Sequence, residues 1–263
     1  MRSLYAIYRK EMGHYFVSPV AYVVVGVFLI LCGFFFDRIL DFYVQNSLAA
    51  EMQSLRFGGG PPPIDIPGQV MRSFFDLLSS LVLFFTPILT MGIFSEERKR
   101  GTIELLMTSP VTETQIVLGK FLAELSLFVI MLLPTAVYLI FMNLHSDPRP
   151  PWSLMLVGYL GVLLLGSGLL ALGSFISSLT ESQIIAAVLT FGAFLILWVI
   201  DAGGRGGDST LGQVLQYLSV IHHYDDFTRG IVDTTGVVYY LSFFVFFVFL
   251  TVRSIDSIRW RRA

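Results

Sequence analysis

Charged residues and cysteine are scarce in this chain of 263 residues. Only 14% of the residues are charged and 55% are hydrophobic, and the mean hydropathy is +0.74. A water-soluble surface does not tolerate so little charge, so the composition excludes a soluble globular protein and predicts an integral membrane protein. The only cysteine, Cys32, lies inside an apolar run, which excludes an intramolecular disulfide and predicts a small core residue.

Motifs for nucleotide hydrolysis and for hydrolytic catalysis are also absent from the sequence. Without a G-x-x-x-x-G-K-[ST] motif, the chain is not expected to hydrolyse ATP, and without H-E-x-x-H or G-x-S-x-G it has no visible protease or esterase chemistry. The adjacent His222 and His223 lack a spaced partner ligand, so no metal or other cofactor is expected. The net charge of −2 indicates no nucleic-acid partner.

The sequence is instead dominated by long apolar runs. A bilayer core about 30 Å thick needs roughly 17–25 apolar residues per helix. These runs do not alternate as barrel strands would, so they predict an all-α bundle of six membrane-spanning helices, one domain over residues 1–263. The runs are Pro19–Phe36, Leu77–Phe94, Phe121–Met142, Leu154–Leu179, Ile184–Ile200 and Val237–Val252.

The middle of each run lacks ionisable residues. Asp76 and Glu124 are predicted to lie near the ends of the second and third spans. Carriers driven by protons or sodium ions usually place ionisable groups at mid-depth, so this distribution disfavours ion-coupled transport.

Basic residues are distributed unevenly between the two sides of the predicted membrane protein. If both termini are cytoplasmic, the inside holds eleven of the 17 Lys and Arg residues, while the outside holds six of them and eleven of the 19 acids. The positive-inside rule therefore predicts a multi-pass protein with both termini in the cytoplasm. In this orientation the polar loop 95–120 faces the cytoplasm and the loop 201–236 faces outward.

Residues 1–17 have the periodicity of an amphipathic helix lying in the membrane interface. Glu11 falls in the middle of its apolar side, where an unpaired carboxylate would be costly. We expect Glu11 to pair with Arg98, Lys99 or Arg100, although its side chain could instead extend to water. The apolar side consists of Leu4, Ile7, Tyr8, Met12 and Tyr15, and the opposite side of Arg2, Arg9, Lys10 and Gly13.

The loop 95–120 is predicted to form a short amphipathic helix followed by a capped entry into the third span. Ser95 is the expected N-cap of the short helix, and Pro110 ends it because proline lacks an amide donor. Thr112 and Gln115 have the spacing of a capping box before the third span.

The same capping device is predicted before the fifth span, at Thr180 and Gln183. In the outer loop 201–236, an apolar stripe at helical spacing is too short to cross the bilayer and predicts a re-entrant pair of short helices before span 6. The stripe consists of Leu211, Val214, Leu215 and Leu218.

The stretch "ERKRGTIELLMTSPVTETQIVLGK" resembles the cytoplasmic loop of permease subunits in the type-2 ABC exporter family, whose pattern is E-R-x-x-G-T-x-E-x-L-x-x-x-P-V followed by GK. The opening "RKEMGHYFVSPVAYVV" resembles the interface helix of that family, and "YLSVIHHYDDFTRGIVDTTGVVYYLSF" is most similar to its gliding-motility-associated branch. The matching loop residues are Glu97, Arg98, Gly101, Thr102, Glu104, Leu106, Pro110, Val111, Gly119 and Lys120.

The resemblance implies a permease subunit that dimerises with a second copy or a paralogue. A separate cytoplasmic ATPase would bind ATP and Mg and drive substrate export or mechanical work. The resemblance also allows two further partners, namely a periplasmic or membrane accessory protein and membrane lipid. The loop 95–120 would be the coupling helix, and its expected contact residues are Glu96, Glu97, Arg98, Gly101, Thr102, Glu104, Leu105, Leu106 and Pro110.

The alternative function is a membrane scaffold that transports nothing and recruits a cytoplasmic protein through the same loop. The two functions differ in whether ATP turnover by the partner responds to the chain.

Overall fold

The computed structural model describes residues 2–57, 65–103, 111–204, 217 and 219–260. Across these ranges the chain forms helices and no strand, and six helical segments are long and apolar enough to cross a membrane. The predicted all-α bundle of six spanning helices is therefore confirmed. In chain order the helices are α1 (Arg2–Val17), α2 (Pro19–Phe57), α3 (Ile66–Thr90), α4 (Ser95–Arg100), α5 (Glu113–Leu132), α6 (Ala136–His145), α7 (Trp152–Leu179), α8 (Gln183–Gly204), α9 (His222–Thr228) and α10 (Thr234–Trp260).

Several helices extend beyond the apolar runs that predict them. The second span was predicted to begin at Leu77, but α3 begins at Ile66. Its N-cap is Asp65, whose carboxylate accepts a hydrogen bond from the Gly68 amide at 3.0 Å. Hydropathy identifies only the part of a helix that is apolar enough for lipid, whereas capping decides where the helix begins.

The third span is interrupted at a proline. Leu133–Thr135 forms one turn of 3₁₀-helix between α5 and α6, and Pro134 lies at its centre. Because proline has no amide hydrogen, it cannot donate to the α-helical ladder at this position. By contrast, Pro87 lies inside α3, which continues to Thr90.

Two ionisable residues lie deeper within helices than the sequence predicts. Asp76 lies nearly three turns into α3, and Glu124 lies about three turns into α5. Glu124 is fully buried, and its Oε2 accepts a hydrogen bond from the Ser174 hydroxyl of α7 at 2.9 Å. These helices begin before the apolar runs, so both residues lie well inside a helix, and the prediction that they lie near span ends stays a prediction.

The central helix of the bundle is α7, which contacts α3, α5, α8, α9 and α10. The glycines of α7 allow these neighbouring helices to approach closely, because they have no side chain. A Cβ atom at Gly158 would lie 2.3 Å from a ring carbon of Phe75, and one at Gly166 would lie 2.3 Å from a ring carbon of Phe128. Cys32 is fully buried in the same hydrophobic core, as predicted.

The predicted apolar side of α1 is the side that packs against α5. Its apolar residues are partly buried, whereas Arg9, Lys10 and Gly13 are exposed. The closest approach is at Gly119, where a Cβ atom would lie 2.9 Å from Cγ2 of Ile7. The hydroxyls of Tyr8 and Ser126 pair at 3.2 Å further along the contact.

The described part of the outer loop includes α9, which packs against α3, α7 and α10. Tyr224 of α9 is buried, and its hydroxyl donates to the Phe75 carbonyl at 2.8 Å. The hydroxyl of Tyr240 donates to the carbonyl of Val220 at 2.6 Å, which holds the start of α9 against α10. The stripe from Leu211 to Leu218 lies outside the described residues, so the re-entrant pair stays a prediction.

Candidate partner-coupling site

The short helix α4 directly follows the second span. A turn over Met91–Phe94 separates it from α3, and Ser95 is its first residue. The prediction that Ser95 is the N-cap is wrong: Phe94 has that position and makes no side-chain capping bond. The Ser95 hydroxyl instead donates to the carbonyl of Met91. The preceding turn brings that carbonyl within reach, so the serine bonds backwards along the chain.

The end of α4 is fixed by a glycine. Gly101 has a left-handed backbone with φ of 68°, and its amide donates to the carbonyl of Arg98 at 3.2 Å. Such a conformation favours glycine and ends a helix. The predicted continuous amphipathic helix is therefore interrupted at Gly101. Its remaining predicted contact residues, Glu104, Leu105, Leu106 and Pro110, lie outside the described residues.

The entries into the third and fifth spans differ in their capping. Thr112 is the N-cap of α5, as predicted, and its hydroxyl accepts a hydrogen bond from the Gln115 amide at 3.4 Å. The predicted cap at Thr180 is wrong, because Ser182 directly precedes α8 and accepts the Ile185 amide at 3.5 Å. Thr180 accepts the amide of Ser182 at 3.2 Å and so shapes the turn between α7 and α8.

Four charged side chains from three helices form what we call the ionic cluster: Lys10, Glu11, Glu97 and Lys120. Lys120 lies at its centre and is only 3% exposed, and its Nζ donates to Glu97 Oε1 at 2.9 Å, Glu11 Oε1 at 3.1 Å and the Ile93 carbonyl at 3.2 Å. The Lys10 ammonium lies 3.3 Å from Glu11 Oε1 and 3.6 Å from Glu97 Oε1. One buried ammonium thus joins α1, α4 and α5.

Glu11 has a cationic partner, as predicted, but the predicted partners on α4 are wrong. Its partners are Lys120 and Lys10. The reason is the close packing of Ile7 on Gly119, which brings α1 onto the start of α5 and Lys120 against Glu11.

The bases of α4 are directed elsewhere. The guanidinium of Arg98 donates to the Ser178 carbonyl at the end of α7. Arg100 forms an ion pair with Glu96 within α4, and Lys99 is exposed. These three bases therefore do not contribute to the ionic cluster.

The charges of the ionic cluster shift the pKa values of its α1 members. Burial raises the pKa of the Glu11 carboxyl, but Lys120 and Lys10 outweigh it and hold that pKa below its ordinary value. Burial lowers the pKa of the Lys10 ammonium, but Glu11 and Glu97 together raise it above its ordinary value. Both groups are thus charged at neutral pH, and two carboxylates balance two ammonium groups.

A second connection attaches α4 to α7 and α8. The fully buried Ser177 hydroxyl donates to the Met91 carbonyl at 3.0 Å and accepts the amides of Phe94 and Ser95 at 3.2 Å each. Glu96 Oε2 accepts a hydrogen bond from the Gln183 amide group at 3.0 Å. No local sequence pattern predicts these contacts, because their partners are more than 80 residues apart in the chain.

The ionic cluster and the second connection together attach α4 to α1, α5, α7 and α8. A cleft of about 760 Å³ lies beside the ionic cluster, bordered by α1, α3 and α4. Among the described residues, no group of three or more His, Cys, Asp or Glu side chains could hold a metal ion. A displacement of α4 must either carry α1, α5 and α7 with it or break buried ion pairs and hydrogen bonds.

The profile of the ABC-2 family transporter proteins matches residues 5–253. A comparison with the curated proteins finds no match. The matched range includes the whole ionic cluster and reaches into α10. The chain therefore belongs to the ABC-2 family transporter proteins, and with its six apolar helices it is a multi-pass membrane permease of that family.

Proposed function

We propose that this permease is the membrane subunit of an ABC exporter and that a separate cytoplasmic ATPase, which binds ATP and Mg, drives it through loop 95–120. The observation that supports this proposal best is the buried Lys120, which ties α4 to both α1 and α5. A surface loop with no transmitting role would not need a desolvated ammonium at its base, since desolvation of an ion costs several kcal/mol before pairing.

In this proposal the residues of α4 divide into two groups. Glu96, Glu97 and Arg98 are directed into the protein, towards Gln183, Lys120 and Ser178. They therefore position α4 and pass its displacement on to the spanning helices. This assigns a positioning role to three of the residues expected to contact the partner.

The second group would contact the ATPase. Lys99, Gly101 and Thr102 are exposed at the end of α4. The exposed ammonium group of Lys99, together with the exposed side chains of Lys10 and Arg100, offers positive charge near the end of α4, which suits a partner groove carrying acidic side chains. Residues Glu104, Leu105, Leu106 and Pro110 are proposed to continue this contact.

Mechanistically, movement of the ATPase would displace α4. The ion pair of Glu97 with Lys120 would move α5, and the hydrogen bonds of Ser177 would move the end of α7. Because α5 begins the third span and is followed by the 3₁₀ turn at Pro134, a tilt of α5 can proceed without an equal tilt of α6.

The remaining features of the assembly follow from the same proposal. Both termini would be cytoplasmic in a bacterial inner membrane, and two permease subunits, identical or paralogous, would form the path for substrate. A relationship to the gliding-motility-associated branch would allow a periplasmic or membrane accessory protein and a mechanical output.

The experiment is ATP turnover by the ABC ATPase encoded beside the permease, measured alone and after reconstitution with the permease in proteoliposomes. We expect the permease to change turnover, and Lys99→Glu to remove most of that change by reversing a charge on the contact surface. The matched control is Arg253→Glu, which reverses an exposed charge on α10. An ATPase that binds the permease without any change in turnover would instead support the scaffold function.

A further inference from the structure

A separate cavity of about 340 Å³ lies in the half of the bundle away from the ionic cluster. It is partly open and is lined by residues of α3, α7, α8 and α9 and of the turn before α9. Asp76, which lines the cavity, lies 14 residues before Thr90, the last residue of α3. This spacing separates Asp76 from the end of α3 that leads to α4 by about 21 Å along the helix axis. Nothing in the proposed coupling to an ATPase uses this cavity.

The walls of the cavity are apolar. Leu165 and Leu169 of α7 and Phe194 of α8 line it, and all three are buried within the bundle. Trp198 lies one turn beyond Phe194 and adds an indole face. The buried Tyr224 also lines the cavity, and its hydroxyl donates to the carbonyl of Phe75. These side chains suit a hydrocarbon chain or a ring.

The polar groups of the cavity lie on one side and are acidic. Asp76 and Asp225 both line it, together with the hydroxyls of Ser79 and Ser80. Both serine hydroxyls donate to the Asp76 carbonyl, at 2.8 and 3.0 Å, so their protons are engaged. None of the described residues that line the cavity is Lys or Arg. The described lining residues therefore contribute no positive formal charge that would offset the Asp76 carboxylate.

We propose that this cavity binds an amphiphile with one ammonium head group and a short apolar chain. Ligand pockets typically have volumes of about 300–1,000 Å³, apolar walls and a few polar groups that fix orientation, and this cavity meets each criterion. An ammonium group is attracted by the Asp76 carboxylate and can make a cation–π contact with the indole of Trp198, whereas an anionic head group is repelled by that carboxylate. A neutral head group has only the apolar walls to bind.

The test uses Trp198 as a reporter. The chain has three tryptophans, so the double variant Trp152→Phe and Trp260→Phe leaves Trp198 as its only indole. This variant, in phosphatidylcholine nanodiscs, is titrated with octyltrimethylammonium, octanol and octyl sulfate, which share one chain and differ in head group. We expect a saturable change in Trp198 emission for the ammonium probe at a concentration about tenfold lower than for the alcohol.

The Asp76→Asn variant should remove this difference and leave the response to octanol unchanged. Asp41→Asn, which neutralises an exposed carboxylate on α2, is the matched control and should preserve the difference. Ser80→Phe fills the mouth of the cavity and should weaken both probes. The proposal is overturned if the ammonium and alcohol probes respond at the same concentration, or if Asp76→Asn and Asp41→Asn behave alike. Either result leaves the coupling proposal untouched.

Discussion

Replacing Lys120 with methionine tests the ionic cluster most severely. Methionine keeps the length and the apolar stem of the side chain but removes the ammonium, so the carboxylates of Glu11 and Glu97 lose their buried partner. The Ile93 carbonyl loses its bond from Lys120 as well. The perturbation is therefore electrostatic rather than steric.

The expected loss of unfolding free energy follows from the burial of the three side chains. Removing one partner of a buried ion pair costs about 3–5 kcal/mol, because it leaves an uncompensated charge. Here Glu11 and Glu97 are each 14% exposed, and Lys10 stays within 3.6 Å of both. These two features place the loss at the lower end of that range, at about 3 kcal/mol.

The assay is unfolding in mixed micelles, in which SDS is titrated into the permease in a non-ionic detergent and the loss of helix is followed by circular dichroism. The control is Arg253→Met, whose ion pair with Asp256 is 3.9 Å long and exposed, and which should cost below about 1 kcal/mol. Adding Glu11→Gln and Glu97→Gln to Lys120→Met should recover much of the loss. If Lys120→Met costs no more than Arg253→Met, the cluster does not hold the three helices together.

Three further predictions use the same titration. Ser177→Ala should cost about 1–3 kcal/mol, because one carbonyl and two amides lose their partner, whereas Ser178→Ala, whose hydroxyl bonds only within α7, should cost little. Gly166→Ala should lower the unfolding free energy by about 1–3 kcal/mol, since the new Cβ atom would lie 2.3 Å from a ring carbon of Phe128. Gly192→Ala is the control, because a Cβ atom there has nothing within 4 Å, and it should not destabilise the protein. Equal effects of the two variants would contradict this packing. Folding lowers the pKa of Glu11, so its carboxylate stabilises the fold above its ordinary pKa of 4.5, and this stabilisation is lost as pH falls through the folded pKa. Glu11→Gln should therefore weaken the dependence of the unfolding free energy on pH between the ordinary and the folded pKa. An unchanged pH dependence would refute this.

The helical framework could be predicted because lipid imposes a simple rule on sequence. Apolar runs of sufficient length predict all six spans, and the period of the apolar residues in α1 predicts the side that packs on α5. The cap at Thr112 could also be predicted, since the donor of its bond lies three residues away. These features depend on local sequence alone.

The site was predicted less well because its contacts are long-range. Glu11 and Lys120 are 109 residues apart, and no spacing rule connects them. The sequence indicated that Glu11 needs a cation, and it offered three bases on α4 that the bundle directs elsewhere. Glu124 illustrates the same limit, because its partner Ser174 is 50 residues away and packing decides which side of α5 faces α7.

The central claim is that the exposed end of α4 touches a nucleotide-hydrolysing partner. A photo-reactive amino acid placed at Lys99 tests it in intact cells that also express the neighbouring ATPase, with the same amino acid at Leu48, an exposed position on α2, as the control. The account predicts an ATPase adduct from position 99, altered in yield when ATP is depleted, and none from position 48. Labelling of position 99 from the periplasmic side, or no ATPase adduct there, would contradict it.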